Sequence, residues 1–367
     1  MKKHIYFSVL SILLFTACQS EQAIENDLVS ADIKPEDCFT EQSFGEAIPL
    51  QAETFNDSIL HNPRSLSLIG NKLFTIDVSS QTDTSVRYYT LPDRRYGGYI
   101  YLKGQGPIEM LSPSNVHASA DSSAFWIYDT AKRTFMGCTL TALEHQTTNE
   151  MSQHSFVNLT DTLFRGVEDV AWLDSTHLLI NDLYHYKERY FTADTCTWDI
   201  RPVSNPALLF KDTYSDKIMA DIFSTRKCVT PDHSHVVLAG RYLDLIEIYD
   251  SEGRLLRMVK GPEKGFDFEF NEERSQQNNV MIKSHRTRRA YLAVKTTNNK
   301  IYALYSGKTK EDKEHYSYGR KLYVFSLDGK PLTKYQLDTP VIDFAVDEAN
   351  GMIYAASDNA EIVCFNI

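Results

Sequence analysis

The feature that most narrows what this chain can fold into is a repeat. Six times, at spacings of about fifty to sixty residues, an apolar stretch follows a polar turn. These stretches are Lys72–Asp77 (KLFTID), Ala124–Asp129 (AFWIYD), His177–Asp182 (HLLIND), His235–Gly240 (HVVLAG), Lys300–Tyr305 (KIYALY) and Met352–Ser357 (MIYAAS). Ahead of them come Gly70-Asn71, Asp121-Ser122, Asp174-Ser175, Pro231-Asp232, Asn298-Asn299 and Asn350-Gly351, residue types that turn a hairpin. A further stretch, usually rich in aromatics, follows each: 87–91 (RYYTL), 133–140 (RTFMGCTL), 189–195 (RYFTADT), 245–249 (LIEIY), 321–326 (KLYVFS) and 361–367 (EIVCFNI). Tight turns at 250–253 and 327–330 lead two of these into fourth strands, 254–259 and 331–337.

Six such units fit an all-β, six-bladed β-propeller with four-stranded antiparallel blades. Each blade is packed on both faces, so its strands read as dense runs of Val, Ile, Leu, Tyr and Phe rather than as clean alternation. The 21 tyrosines and 19 phenylalanines are therefore expected between blades. A parallel β-helix has a shorter repeat, and two sandwich domains would not require six similar units. The chain stops on the third strand of its sixth unit. The missing strand is expected from 47–55, which would close the ring and remove an exposed edge. The propeller domain is placed at 41–367, and the best helical signal within it falls in the insertion 262–289.

The first residues read as an export signal. Lys2 and Lys3 precede a short apolar run, Ile5 to Phe15, too short to span a bilayer as a mature helix. Phe15-Thr16-Ala17-Cys18 resembles the lipobox of bacterial lipoproteins, with Phe15 where leucine is usual. That resemblance implies removal of a signal peptide, 1–17, thioether lipidation of Cys18 and a stable membrane anchor. Residues 18–40 then read as a polar tether. The location expected is the outer membrane or the periplasmic side, with display at the cell surface left open. A net charge of -11 argues against nucleic acid as a partner. The local basic run Arg286-Thr287-Arg288-Arg289 reads as a solvated loop. Cys38, Cys138, Cys196, Cys228 and Cys364 lack CxxC spacing, so no zinc or redox motif is present. The last four are expected as small core residues.

The stretches 240–255 (GRYLDLIEIYDSEGRL), 290–307 (AYLAVKTTNNKIYALYSG) and 319–367, with its VFSLDGKP turn, resemble the TolB-like six-bladed propeller lipoproteins of Bacteroides-type bacteria. Gly104-Gln105-Gly106-Pro107-Ile108-Glu109 is similar to that family's Gly-x-Gly-Pro loop after the first blade. The resemblance runs from about Pro63 onward. It implies an envelope propeller and carries no catalytic residues with it.

Several residues are candidates for binding. Asp77, Asp129 and Asp182 end the second strand of the first three units, where a carboxylate accepts hydrogen bonds from the following turn. Converging at a channel mouth, they would instead form an acidic ring suited to calcium. The loop bearing Gly104, Gly106 and Glu109 could shape an anion nest or a rigid turn; it lacks the length and lysine of a P-loop. Arg64 and Arg241 adjoin predicted inner strands and would suit a carboxylate or phosphate. His233 and His235 lack a third metal ligand nearby, and Tyr184-His185-Tyr186 reads as inter-blade packing. No nucleophile elbow, His-Glu-x-x-His motif or triad spacing occurs. The reading is a non-catalytic envelope lipoprotein whose propeller binds a protein, peptide or glycan, without a resident cofactor. The alternative is a metal-dependent propeller hydrolase or lactonase that uses channel-mouth carboxylates.

Overall fold

The computed structural model describes residues 22–25, 29–55, 60, 62–81, 83–159, 166–211, 214–263, 270–274 and 279–367. The signal segment and Cys18 lie outside them. All six second strands have the bounds that the repeat gives them. In five of the six, a half-buried first residue is followed by five buried ones, the mark of a strand covered on both faces.

Each second strand lies antiparallel between an inner strand and the third strand of its blade. Inner strands are Pro63–Ile69, Pro113–Ala118, Val167–Trp172, Thr225–Val229, Tyr291–Thr296 and 341–347. Four blades are separate four-stranded sheets. The fifth and sixth merge, because Pro331–Asp347 runs unbroken from the outer edge of one into the inner edge of the next.

The N-terminal chain closes the ring with less than the expected length. Glu53–Thr54 pairs antiparallel with Ile362–Asn366 as the outer strand of blade six. Ile48–Leu50 runs parallel along the outer strand of blade five instead. Phe55 seals the closure, its ring 5.0 Å from Tyr89 of blade one and 6.0 Å from Tyr354 of blade six.

Three expectations change. The segment before residue 40 is not a tether over its described length. Val29–Ile33 pairs with Leu208–Phe210, and Val29, Ala31 and Ile33 are buried with Ile218, Met219 and Ile222 of the helix Asp216–Ile222. Beyond it, Phe39 and Phe44 pack on Tyr323 and Phe325 of blade five. Alternating Val29, Ala31 and Ile33 is a strand pattern that the polar composition around it masks. Among its described residues the insertion 262–289 holds the hairpin Phe270–Arg274 and Asn279–Lys283 rather than a helix; the α-helices among the described residues are Leu140–Glu144 and Asp216–Ile222. Cys196 is exposed in a turn, whereas Cys138 and Cys364 are buried and Cys228 half-buried; these four and Cys38 are free thiols. No helix among the described residues is long and apolar enough to cross a membrane.

Candidate functional site: the central channel

The inner strands enclose a cavity of about 600 Å³. It runs from Arg64, Glu168 and Arg226 near the strand starts to Gly70, Ser122 and His233 at the opposite end. Five of the six inner strands slip register just after they begin, and the fourth does not. A bulge adds one residue and re-aims the next side chain. In blades one, three and six this places Ser65, Asp169 and Asp343 against the channel.

Polar side chains then link across blades. Ser65 Oγ donates to Asn115 Oδ1 (2.9 Å), and Asn115 Nδ2 donates to Asp169 Oδ2 (2.7 Å). Ser114 Oγ donates to the same carboxylate at 2.7 Å, and His117 Nε2 lies 3.0 Å away. Burial alone would raise the Asp169 pKa, but His117 and these donors hold it below the usual carboxylate value. Across the ring, Asp343 Oδ2 accepts from the Leu66 amide (2.8 Å) and from Lys295 Nζ (3.3 Å), tying blades five, six and one. Lys227 Nζ donates to Asn181 Oδ1 (2.5 Å) and Thr225 Oγ1 (2.8 Å). Its pKa is pushed down to about 7, mainly by burial and further by the charge of Arg189.

One corner of the channel gathers cations. Glu168 Oε1 is 3.4 Å from Arg241 NH1 and 4.0 Å from Arg226 NH1, while its other oxygen accepts from Asn181 Nδ2 (3.1 Å). The Arg289 guanidinium lies over the Tyr242 ring at 4.8 Å. Burial first, then repulsion from Arg241 and Arg289, lowers the Arg226 pKa to about 10.

The predicted residues divide. Arg64 lines the cavity and donates to Tyr318 Oη (3.3 Å), and Arg241 reaches its rim through Glu168. The three aspartates do not share a point. Asp77 accepts from the amides of Asn62 and Ser79, and Asp129 from those of Leu111, Ser112, Ala131 and Lys132. Asp182 accepts from Gly166 and Tyr184. Each carboxylate caps its own strand junction, and no group of three His, Cys, Asp or Glu fit to hold a metal occurs among the described residues.

The Gly104–Glu109 loop forms its nest, and Glu109 fills it. Its Oε2 accepts from the Gly106 amide at 2.7 Å, and a Cβ on Gly104 would sit 2.0 Å from that oxygen. A Cβ at either glycine would push the flexible end of the Glu109 side chain aside and cost this bond. Tyr184 is 47% exposed while Tyr186 is buried against Phe210 and Phe223, so that cluster splits. The basic run does not simply face solvent. Arg288 pairs with buried Asp244 at 3.0 Å, and Arg289 turns onto Tyr242. Sequence reading missed Glu168, Asp169, Arg226, Lys227, Lys295 and Asp343; their signal was charge inside short inner strands otherwise fit for burial.

A ring of four-stranded blades about a charged, open channel defines a β-propeller. The family model described as TolB-like 6-blade propeller-like matches residues 43–349, and the chain belongs to that family. No curated protein matches it in sequence. Among solved structures, it is similar to a Bacteroides fragilis protein assigned as exported, at 13% identity and TM-score 0.54, covering 89% of this chain and 97% of that one. It is also similar to the Cps50 (Swd1) β-propeller domain of Myceliophteria thermophila, at 9% identity and TM-score 0.46, covering 86% and 99%. At these identities the neighbours speak to fold alone.

Proposed function

We propose that this protein is a non-catalytic binding lipoprotein of the bacterial cell envelope, anchored through Cys18, whose propeller receives its ligand at the central channel. The observation that carries this reading is the channel itself. Charged and hydrogen-bonding side chains from every blade line or rim a cavity of about 600 Å³, the size of a small-ligand site. The aspartates that a metal-dependent hydrolase or lactonase would use are each occupied by backbone amides of their own turns, which leaves that alternative without support. The lipobox resemblance and the similarity to an exported Bacteroides protein favour an envelope location in a Bacteroides-type bacterium.

Surface plasmon resonance against panels of envelope glycans and peptides tests the binding role. A Ser67→Trp variant, which fills the channel from a lining position, is expected to abolish capture. Capture that persists unchanged in this variant would move the ligand away from the channel. Mass spectrometry of the mature N-terminus checks the anchor; an unmodified start other than Cys18 would refute it.

A further inference from the structure

We propose that the corner formed by Arg226, Arg241 and Arg289 binds a doubly charged oxyanion, a phosphate or sulfate group either free or carried as an ester. This rests on the channel being a ligand site and specifies the chemistry it selects. Three independent features converge there.

The first is placement. Arg226 pairs across the sheet with Ala239, and the Arg241 amide donates to Ser224 O at 3.0 Å. The Ala290 amide donates to Arg241 O at 2.9 Å. These strand-end bonds bring arginines from blades four and five to one mouth, although they lie far apart in sequence. The second is charge. Among the described residues, Glu168 is the carboxylate within ion-pair distance of Arg226 and Arg241, and none lies in that range of Arg289. Three guanidiniums against one carboxylate leave two positive charges unmatched. A carboxylate ligand would neutralise one of them; a phosphate or sulfate dianion neutralises both.

The third is donor supply. The Nε of all three arginines is buried and makes no hydrogen bond within the chain. These three N–H groups are closed to solvent, so the donors offered to a ligand are the terminal guanidinium nitrogens. A planar guanidinium meets two oxygens of a phosphate or sulfate group at once. Stacking over Tyr242, with Tyr316 5.7 Å away, holds the Arg289 fork in orientation. The site is reachable, since 38% of the Arg226 side chain and 17% of the Arg241 side chain are exposed.

The test is isothermal titration of the protein at constant ionic strength with inorganic phosphate, inorganic sulfate, glucose 6-phosphate and glucose 6-sulfate, with chloride as the blank. Saturable binding is expected, with Arg241→Gln and Arg289→Gln each weakening it by about tenfold or more. Glu168→Gln removes the competing carboxylate and should tighten binding several-fold, a gain that misfolding cannot mimic. Tighter binding of the esters would mark the anion as part of a larger ligand; equal affinity would mark a free anion. No saturation by any of the four up to about 10 mM would overturn the proposal. So would unchanged affinity in the arginine variants, or weaker binding in Glu168→Gln. If a neutral glycan or a peptide saturates the channel while all four anions fail, the channel reading stands and the oxyanion site falls.

Discussion

Replacing Glu247 by glutamine should cost the propeller about 3–5 kcal/mol. Glu247 on blade four and Arg189 on blade three form an ion pair buried between the blades, their side chains 1% and 4% exposed. Arg189 Nε lies 3.0 and 3.1 Å from the two carboxylate oxygens, and NH2 lies 2.6 Å from Oε1. Tyr249 Oη and Asn205 Nδ2 donate to the same carboxylate at 2.6 and 2.8 Å, and Arg189 NH1 donates to Phe223 O at 3.1 Å. The amide keeps the shape and leaves a buried guanidinium uncompensated. With about 2.1 cal/mol/K of unfolding entropy per residue over roughly 330 residues, the loss becomes a fall in Tm of about 4–7 °C. Urea unfolding followed by tryptophan fluorescence, with calorimetry at pH 7, measures both. Burial pushes the Glu247 pKa up, but Arg189 and the two donors outweigh it and the value is lowered. Stability from this group is therefore present above its unfolded pKa, about 4.3, and is lost as pH falls through the lower folded value. The deficit of Glu247→Gln should shrink in acid accordingly. Replacing both partners with apolar residues, Arg189→Met with Glu247→Leu, should recover most of the loss. A single-variant loss under about 1 kcal/mol, or a double variant worse than the single, would refute the reasoning.

Gly104→Ala should destabilise by at most about 1 kcal/mol, because the new Cβ makes the flexible, half-buried Glu109 carboxylate swing away from the Gly106 amide. In a Glu109→Ala background the same change should cost almost nothing; an equal cost there would point to another cause. Asp129→Ala leaves four amides without their acceptor and should lose roughly 2–3 kcal/mol by denaturant titration. Because the aspartates are occupied in this way, calcium and EDTA should leave the wild-type Tm unchanged, and a calcium-dependent rise would reinstate the acidic ring. Lys227→Met probes the lysine whose folded pKa, about 7, lies below its unfolded value. The penalty for burying that amine is full below pH 7, where it is charged in both states, and fades as pH rises toward the unfolded pKa. Wild-type stability should therefore gain on the variant between pH 7 and about 10, and a constant difference would show that Lys227 stays charged.

The second strands were readable because three independent signals coincide on them. A turn precedes each, five or six consecutive residues are fit for burial, and the spacing repeats. Lys300–Tyr305 illustrates this: Asn298-Asn299 reverses the chain, and Ile301 through Tyr305 are all buried. The N-terminal strap offered only one such signal. In Val29–Ile33 the alternating Val, Ala and Ile sit among serine and aspartate, with neither a turn nor a repeat to mark them. Its partners, Leu208–Phe210 and the helix at Asp216–Ile222, also lie some 180 residues on, so local composition says nothing of the burial that fixes it. The same long reach explains why 47–55 divides between two blades, since pairing partners rather than local propensity decide where each part docks.

The channel was harder to read for a specific geometric reason. Alternation in a strand assigns side chains to faces only while the register holds. A bulge at the start of five inner strands breaks that rule where the channel residues lie, so in PRSLSLI nothing local says whether Arg64 or Ser65 faces the channel. Blade four is the one without a slip, and there TRKCV sets two cations side by side, with Arg226 at the arginine corner and Lys227 toward Asn181. The break in sixfold symmetry is thus also the place where charge concentrates. Arg241 joins Arg226 within blade four, through its amide's bond to Ser224, whereas Arg289 joins them through the Ala290–Arg241 bond, a contact that exists once blades four and five have docked. A site assembled this way depends on blade packing as much as on its own side chains. Mutations that loosen the interface between blades four and five should therefore weaken ligand binding before they unfold the ring.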